Sequence, residues 1–298
     1  VTYRKLSESI VDQGVTLRRE LSKNTNEDVT ITSIASEVVS DAQKPPEGIP
    51  TPFSGLNEAI CCLEPGAVYT LAAYTGQGKS SLALNITAHA CSYTDVIYFS
   101  LEMPPKQLAR RLMCSDTRIP IKQARLGNID KDQAQQLRAS LDKYQNLRII
   151  YDSMSVRGME QRIKHHKGSK PKLIVVDYLQ LLTGREKSLR EQVVKNSRDI
   201  KLLAGKYDLA VIQVSQLRRP AERHSKPHLY MLKESGSIEQ DSDCVMMIGE
   251  PDDDVISTST QGRTEERYLN IEKSRDGATT NWGDIRLKWH PTITRFED

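Results

Sequence analysis

The chain is 298 residues long, enough for one large or two modest domains with a buried core, which excludes a peptide or a disulfide-stapled miniprotein. Charged residues make up 27% of it and aromatics 5%, and no stretch approaches the roughly 20 apolar residues of a helical membrane span. The net charge of +3 is too small to mark a nucleic-acid partner by itself, so any basic binding surface has to be local.

The first residues, 1–14, lack the apolar centre of a secretory signal, and the chain opens on Val1 rather than Met, which fits a processed or truncated end. Cys61, Cys62, Cys91, Cys114 and Cys244 form no CxxC pair, and an odd count argues against a closed disulfide framework. A reducing, cytoplasmic compartment is expected. His165, His166, His224 and His228 lie near no Cys or carboxylate cluster of metal-site type and read as solvated polar residues.

Tyr3, Leu6, Ile10, Leu17 and Leu21 recur at spacings of three, four or seven, which predicts an amphipathic helix over 3–21 with one apolar stripe in need of a partner surface. A polar stretch and an ambiguous segment at 29–39 follow. The prolines at 45, 46 and 50 forbid regular structure, so a linker is expected at about 40–52, dividing the chain into a helical segment at 1–50 and a large domain at 51–298.

Beyond the linker, β-branched runs at 68–72, 96–100, 147–151, 173–176, 209–214 and 244–248 alternate with helical patterns. That alternation predicts an α/β fold with a mainly parallel sheet covered by helices on both faces. The rhythm changes at 268–272, 285–289 and 293–296, where apolar and polar residues alternate between turns; antiparallel strands are expected to extend one edge.

The strongest local signal is Ala73-Tyr74-Thr75-Gly76-Gln77-Gly78-Lys79-Ser80, between the strand ending at Ala72 and the helix that carries Leu82 and Ile86. It reads as a phosphate-binding loop. Glycines let backbone N–H groups converge on phosphate oxygens, the following helix adds its positive N-terminal end, Lys79 reaches the β- and γ-phosphates, and the Ser80 hydroxyl ligates Mg²⁺. Ala73 stands where the general pattern has Gly. The nucleotide site is expected to comprise Thr75, Gly76, Gln77, Gly78, Lys79, Ser80 and Ser81, with Arg111 beside them, and ATP or another nucleoside triphosphate as substrate. The run at 173–177 is a buried strand ending in Asp177, the form of a Walker B carboxylate that reaches Mg²⁺. Glu102 directly follows the 96–100 strand, where ligands of α/β folds bind, and suits a general base; position alone also fits a helix-capping acid before Pro104. Gln216 ends the next strand and can hydrogen-bond water or γ-phosphate.

Together these residues resemble the C-terminal motor domain of the DnaB-type replicative helicases, a RecA-like P-loop fold. The resemblance runs from about Thr51 to Phe296. It rests on Thr51-Pro52-Phe53-Ser54-Gly55-Leu56, a P-loop with Ala in first position, Ser100-Leu101-Glu102-Met103, Asp177-Tyr178-Leu179-Gln180-Leu181, Ser215-Gln216-Leu217, the stretch from Lys233 to Asp241, and Glu272-Lys273-Ser274-Arg275-Asp276-Gly277. It implies an ATP-driven motor that translocates on single-stranded DNA as a homo-oligomeric ring, a hexamer, with Glu102 as catalytic base. It also implies that Lys273 and Arg275 reach the γ-phosphate held by the neighbouring subunit. Read blindly, those two are surface charges. The same resemblance assigns DNA contact to Arg185 and Lys187 and to Lys233, Glu234 and Gly236, with Arg218 and Arg219 in the basic loop nearby; Gly236 allows close backbone approach and Lys233 neutralises a phosphate. Few aromatics flank these loops, so backbone tracking is expected over base stacking. A full replicative helicase carries a further globular N-terminal domain, and here about 50 residues precede the motor, which fits either a fragment or a shortened helicase of a phage or plasmid; primase and a helicase loader are the further partners that the resemblance implies. The 3–21 helix is similar to part of the linker that docks on an adjacent subunit. Two other classes share the P-loop core: a RecA-type recombinase or clock-type ATPase, and a helicase loader in which ATP sets assembly rather than movement.

Overall fold

The computed structural model describes residues 30–217, 226–232, 235–251 and 264–298. Contacts divide the chain at Pro46/Glu47 into two units. In the first unit the described residues include helix α1 (Ile31–Asp41), whose N-cap Thr30 side chain accepts from the Ser33 N–H. Its Ile31, Ile34, Val38 and Val39 are exposed. The segment expected to be ambiguous is therefore a capped helix, and the helix expected over 3–21 lies outside the described residues.

The second unit begins within the stretch expected as linker. Ile49 pairs with Leu63 in a short antiparallel bridge, and Thr51 N–H donates to Asn57 Oδ1 at 2.8 Å. Helix α2 (Ser54–Ile60) leads to strand β1 (Val68–Ala73), helix α3 (Lys79–Ala90) and strand β2 (Val96–Ser100). Helices α4 (Pro105–Thr117), α5 (Ile121–Leu126) and α6 (Lys131–Ala139) precede β3 (Leu147–Tyr151), α7 (Val156–Lys164) and β4 (Leu173–Asp177). Then come α8 (Leu189–Tyr207), β5 (Ala210–Gln216), α9 (Ser235–Asp241), β6 (Cys244–Gly249), β7 (Glu265–Ser274), β8 (Ile285–His290) and β9 (Arg295–Glu297).

These strands form one sheet in the order β3-β2-β4-β5-β1-β6-β7-β8-β9. The pairs from β3 to β6 are parallel and the pairs from β6 to β9 antiparallel, as the change in sequence rhythm predicts. Every residue of β1, β2, β4 and β6 is buried, which is why those strands read as continuous apolar runs rather than alternating ones.

Alternation along the strands still decides which face a side chain takes. Tyr69, Leu71, Tyr98, Leu173 and Val175 pack on one face with Leu82 and Ile86 of α3, Leu108 and Leu112 of α4, and Trp289 and Phe296 of the antiparallel edge. Val68, Ala72, Ile97, Phe99, Ile174 and Val176 pack on the other with Met159 and Ile163 of α7 and Val193, Ile200 and Leu203 of α8. By this parity Asp177 falls on the α3 face, and so does Tyr98. Among the described residues no helix is long and apolar enough to cross a membrane.

Candidate nucleotide-binding site

Parallel strands all end on one edge, and in this sheet four neighbours end together. Ala73 pairs with Gln216 across β1 and β5, Val176 with Gln213 across β4 and β5, and Ser100 with Asp177 across β2 and β4. The carboxyl edge thus collects the P-loop after β1, Gln216 at the end of β5, Asp177 at the end of β4 and Glu102 two residues beyond β2. This is the crevice where α/β sheets bind ligands.

The loop itself is built on two left-handed residues, Gly76 and Gly78, both at φ +91°. A side chain there is strained by backbone conformation alone. At Gly78 space forbids it too: an added Cβ would sit 2.8 Å from the Phe296 ring. That ring stacks on Trp289 with centroids 4.3 Å apart, so the antiparallel edge forms a floor under the phosphate loop. Gly78 is the N-cap of α3 and provides no side-chain cap, which leaves the first-turn N–H groups for a ligand. Lys79 opens that helix, buried, with Nζ 5.7 Å from the Tyr178 ring centroid. Ser81 is buried in the same turn, and Thr75 is exposed at the rim, where its hydroxyl accepts from Gln216 Nε2 at 2.7 Å. That bond joins the P-loop to the end of β5. Gln77 Nε2 donates to Glu250 Oε1 at 2.9 Å, tying the loop to the end of β6.

Ser80 and Asp177, both expected at a bound Mg²⁺, are in contact. The Ser80 hydroxyl donates to Asp177 Oδ1 at 3.2 Å, and Tyr98 Oη donates to Oδ2 at 2.7 Å. Asp177 is fully buried, and burial raises its pKa above the ordinary carboxylate value against the opposing pull of Tyr98, Ser80 and Lys79; Glu102 adds a smaller push upward. A buried carboxylate short of positive charge beside a hydroxyl oxygen is a donor set suited to a hard cation such as Mg²⁺, which takes one or two protein oxygens and completes its shell with water and phosphate. Such a cation would neutralise charge on the phosphates. Glu102 is exposed at the bend after β2, and Arg111 is half-buried on α4. Their charges shift Tyr98 in opposite directions, Arg111 downward and Glu102 upward, under a larger rise from burial. Both charges thus act on the tyrosine that donates to the Asp177 carboxylate. Tyr98 is a residue that sequence reasoning missed.

An acid whose folded pKa is raised destabilises the folded state wherever it is ionised. Stability then falls as pH rises from the ordinary Asp value through the raised one, and the loss is complete above it. Asp177→Asn removes that burden. It is expected to raise the thermal midpoint of the nucleotide-free, Mg²⁺-free protein at neutral pH while hydrolysis is lost, with about 2–4 °C for each kcal/mol regained. An unchanged or lower midpoint, measured by calorimetry, contradicts the assigned electrostatics.

Lys273 and Arg275 lie elsewhere. β7 runs antiparallel to β6, so its end comes back to the amino edge of the parallel sheet: Ser274 pairs with Cys244, and Arg275 N–H donates to Asp243 O at 2.8 Å. β1 spans six residues between this edge and the P-loop, and at about 3.3 Å per residue the two edges stand roughly 17 Å apart. Neither side chain reaches the chain's own phosphate loop. Lys273 Nζ donates to Glu239 O and to Ser242 O, the latter at 2.8 Å, and burial with the nearby Arg275 charge lowers its pKa. Arg275 stays about half exposed and pairs with Asp243 Oδ1 at 2.9 Å.

Arg185 and Lys187 are exposed in the loop before α8, and Gly236 is exposed in the first turn of α9. Lys233, Glu234, Arg218 and Arg219 lie outside the described residues.

Residues 48–298 match the family described as DnaB-like helicase C terminal domain. The chain belongs to that family. Replicative DNA helicase DnaB of Leifsonia xyli subsp. xyli is 33% identical over 263 residues, covering 84% of this chain and 56% of the relative. Two solved structures share the fold of this DnaB-family domain. One, described as an ATPase domain, has a TM-score of 0.80 at 24% identity, covering 91% of this chain and 99% of its own. The other, a DnaB-like replicative helicase described with its interactions with primase, has a TM-score of 0.76 at 24% identity, covering 96% of this chain and 71% of its own. The chain spans about half the length of the curated DnaB relative, and its RecA-like parallel core with an antiparallel edge is the architecture that the sequence predicts.

Proposed function

We propose that this DnaB-family chain is the motor of a replicative DNA helicase: it hydrolyses ATP with Mg²⁺ between subunits of a homo-oligomeric ring, a hexamer, and translocates on single-stranded DNA. The observation that carries this reading is the separation of Arg275 from its own P-loop by the length of a strand. A guanidinium that cannot serve its own site but sits half-exposed at the opposite edge fits delivery to a neighbour's nucleotide, where it stabilises the charge of phosphoryl transfer and ties hydrolysis to the interface.

In this mechanism the P-loop amides and Lys79 cradle the phosphates, and Ser80 and Asp177 hold the Mg²⁺. Glu102 takes the proton of the attacking water. Gln216, bonded to Thr75, reports the occupancy of the loop to β5 and to the basic segment after it. Lys273 and Arg275 complete the site from the next subunit. Arg185, Lys187, Lys233, Glu234 and Gly236 line the DNA path, with Arg218 and Arg219 adding charge, and backbone contacts make it tolerant of sequence. The cytosol is the compartment, and primase and a helicase loader are the partners that such a ring would meet.

A forked duplex with a 5′ or a 3′ single-stranded tail tests the reading. ATP-dependent strand displacement is expected on one fork polarity, absent without Mg²⁺ and absent in Lys79→Ala. Hydrolysis with no displacement on either fork would instead favour the recombinase or loader classes, in which nucleotide sets assembly.

A further inference from the structure

Arg275 is not free to wander at the amino edge, because one carboxylate there has partners on three elements. Asp243 lies between α9 and β6. Its Oδ1 meets Arg275 Nη1 at 2.9 Å, while Oδ2 accepts the Val68 N–H of β1 at 2.7 Å and faces the Lys201 ammonium of α8 at 2.5 Å. Asp243 N–H also donates to Val68 O, and Arg275 N–H to Asp243 O, each at 2.8 Å. The residue before it, Ser242, is fully buried, with its hydroxyl bonded to Ile238 O and to Thr70 of β1. The Asp243 side chain is 13% exposed and that of Arg275 is 48% exposed. The carboxylate is therefore the anchor and the guanidinium the arm. Arg275 Nη2 makes one further bond, to Gln240 O at 3.1 Å, at the end of α9.

We propose that Asp243 is the positioning residue for Arg275, holding the guanidinium at the subunit edge in the orientation from which it serves the neighbouring nucleotide; the inference rests on the trans reading of Arg275 above. An unheld arginine samples many rotamers, and each must be frozen out before the charge arrives at the transferring phosphoryl group. A carboxylate locked by Val68 and Lys201 does that freezing beforehand. Asp243 touches no nucleotide in this scheme, so its loss should slow turnover and leave binding alone.

The test uses the full chain carrying Asp243→Asn, which retains an oxygen acceptor for Val68 but not the charge. Hydrolysis kcat is expected to fall roughly ten- to a hundredfold, the scale of a lost charged hydrogen bond, with KM and nucleotide affinity near parental. Asp243→Glu, which keeps the charge, is expected to retain more turnover than Asp243→Asn and serves in its place if the Asn variant does not fold. Mixing sorts the role. Asp243→Asn should recover turnover in mixed assemblies with Lys79→Ala, whose subunits bring an intact arm, and should not recover with Arg275→Ala. Parental or raised kcat, a loss shared between kcat and KM, or recovery with Arg275→Ala each overturns the proposal while Arg275→Ala itself stays inactive. If Arg275→Ala turns over at the parental rate, the trans reading has failed and the proposal falls with it.

Discussion

Glu102→Gln is expected to bind nucleotide within a few-fold of the parent while hydrolysis falls by roughly 10²–10⁴, the usual contribution of a positioned general base. The expectation follows from place and chemistry. Glu102 is exposed on the bend after β2, and the bonds that shape the P-loop run to Gln216, Glu250 and Asp177 instead. Its charge nevertheless adds to the upward pKa shifts of Asp177, Tyr98 and Tyr178; Asp177 accepts from the Ser80 hydroxyl, and the Tyr178 ring lies 5.7 Å from the Lys79 ammonium. The amide keeps the shape of the carboxylate but cannot accept a proton at neutral pH. Lys79→Ala is the contrast: in the proposed mechanism the buried ammonium both holds phosphate and neutralises developing charge, so affinity and turnover should fall together. Fluorescent-nucleotide titration beside phosphate release separates the two. If Glu102→Gln loses affinity along with turnover, the residue supports the site's structure instead.

Arg275→Ala is expected to have the larger effect on rate, since an arginine delivered to the transferring phosphoryl group contributes roughly 10³–10⁵. Its own subunit's nucleotide should still bind normally, because the amino edge of the sheet stands a full strand length from the P-loop. Stability should change little: the Asp243 pair is partly exposed, and pairs of that kind contribute about 0–1 kcal/mol. Turnover measured at saturating ATP and DNA, alongside nucleotide affinity and thermal midpoint, checks all three. A proportionate loss of affinity would place Arg275 in the binding of the chain's own nucleotide, against the geometry.

Much of this architecture was legible in the sequence, for physical reasons that differ by element. The strands β1, β2, β4, β5 and β6 are apolar runs bounded by turn residues, and β7 to β9 declare themselves by alternation once one face is half-solvated. The segment at 29–39 is ambiguous in sequence because Ile, Val and Thr give it strand composition; the capped helix at Ile31–Asp41 rests on a local Thr30 bond that periodicity does not report. The P-loop residues were legible as a motif, yet the reason Gly78 cannot carry a side chain is Phe296, near the other end of the chain. Tyr98 could have been found by parity: counting alternate residues along β2 and β4 puts it on the face of Asp177. Asp243 had no such signal, because its partners come from β1, α8 and the end of β7 and meet only through the sheet order. Lys273 and Arg275 looked like surface charges, and topology alone shows that β7 carries them back to the amino edge. Four of the residues expected to touch DNA, Arg218, Arg219, Lys233 and Glu234, fall outside the described residues, and their role stays a proposal.

The central claim is that each active site is completed by the next subunit, and mixing two inactive proteins tests it most directly. Arg275→Ala subunits keep an intact P-loop, and Lys79→Ala subunits keep an intact arm. Neither alone should hydrolyse ATP at a measurable DNA-stimulated rate. Combined under conditions that exchange subunits, with mixed assemblies verified by differently sized tags, they should regain turnover at the interfaces that pair an intact P-loop with an intact Arg275. Verified mixed assemblies with no recovery, or a strictly monomeric protein that hydrolyses at the full DNA-stimulated rate, would contradict the account.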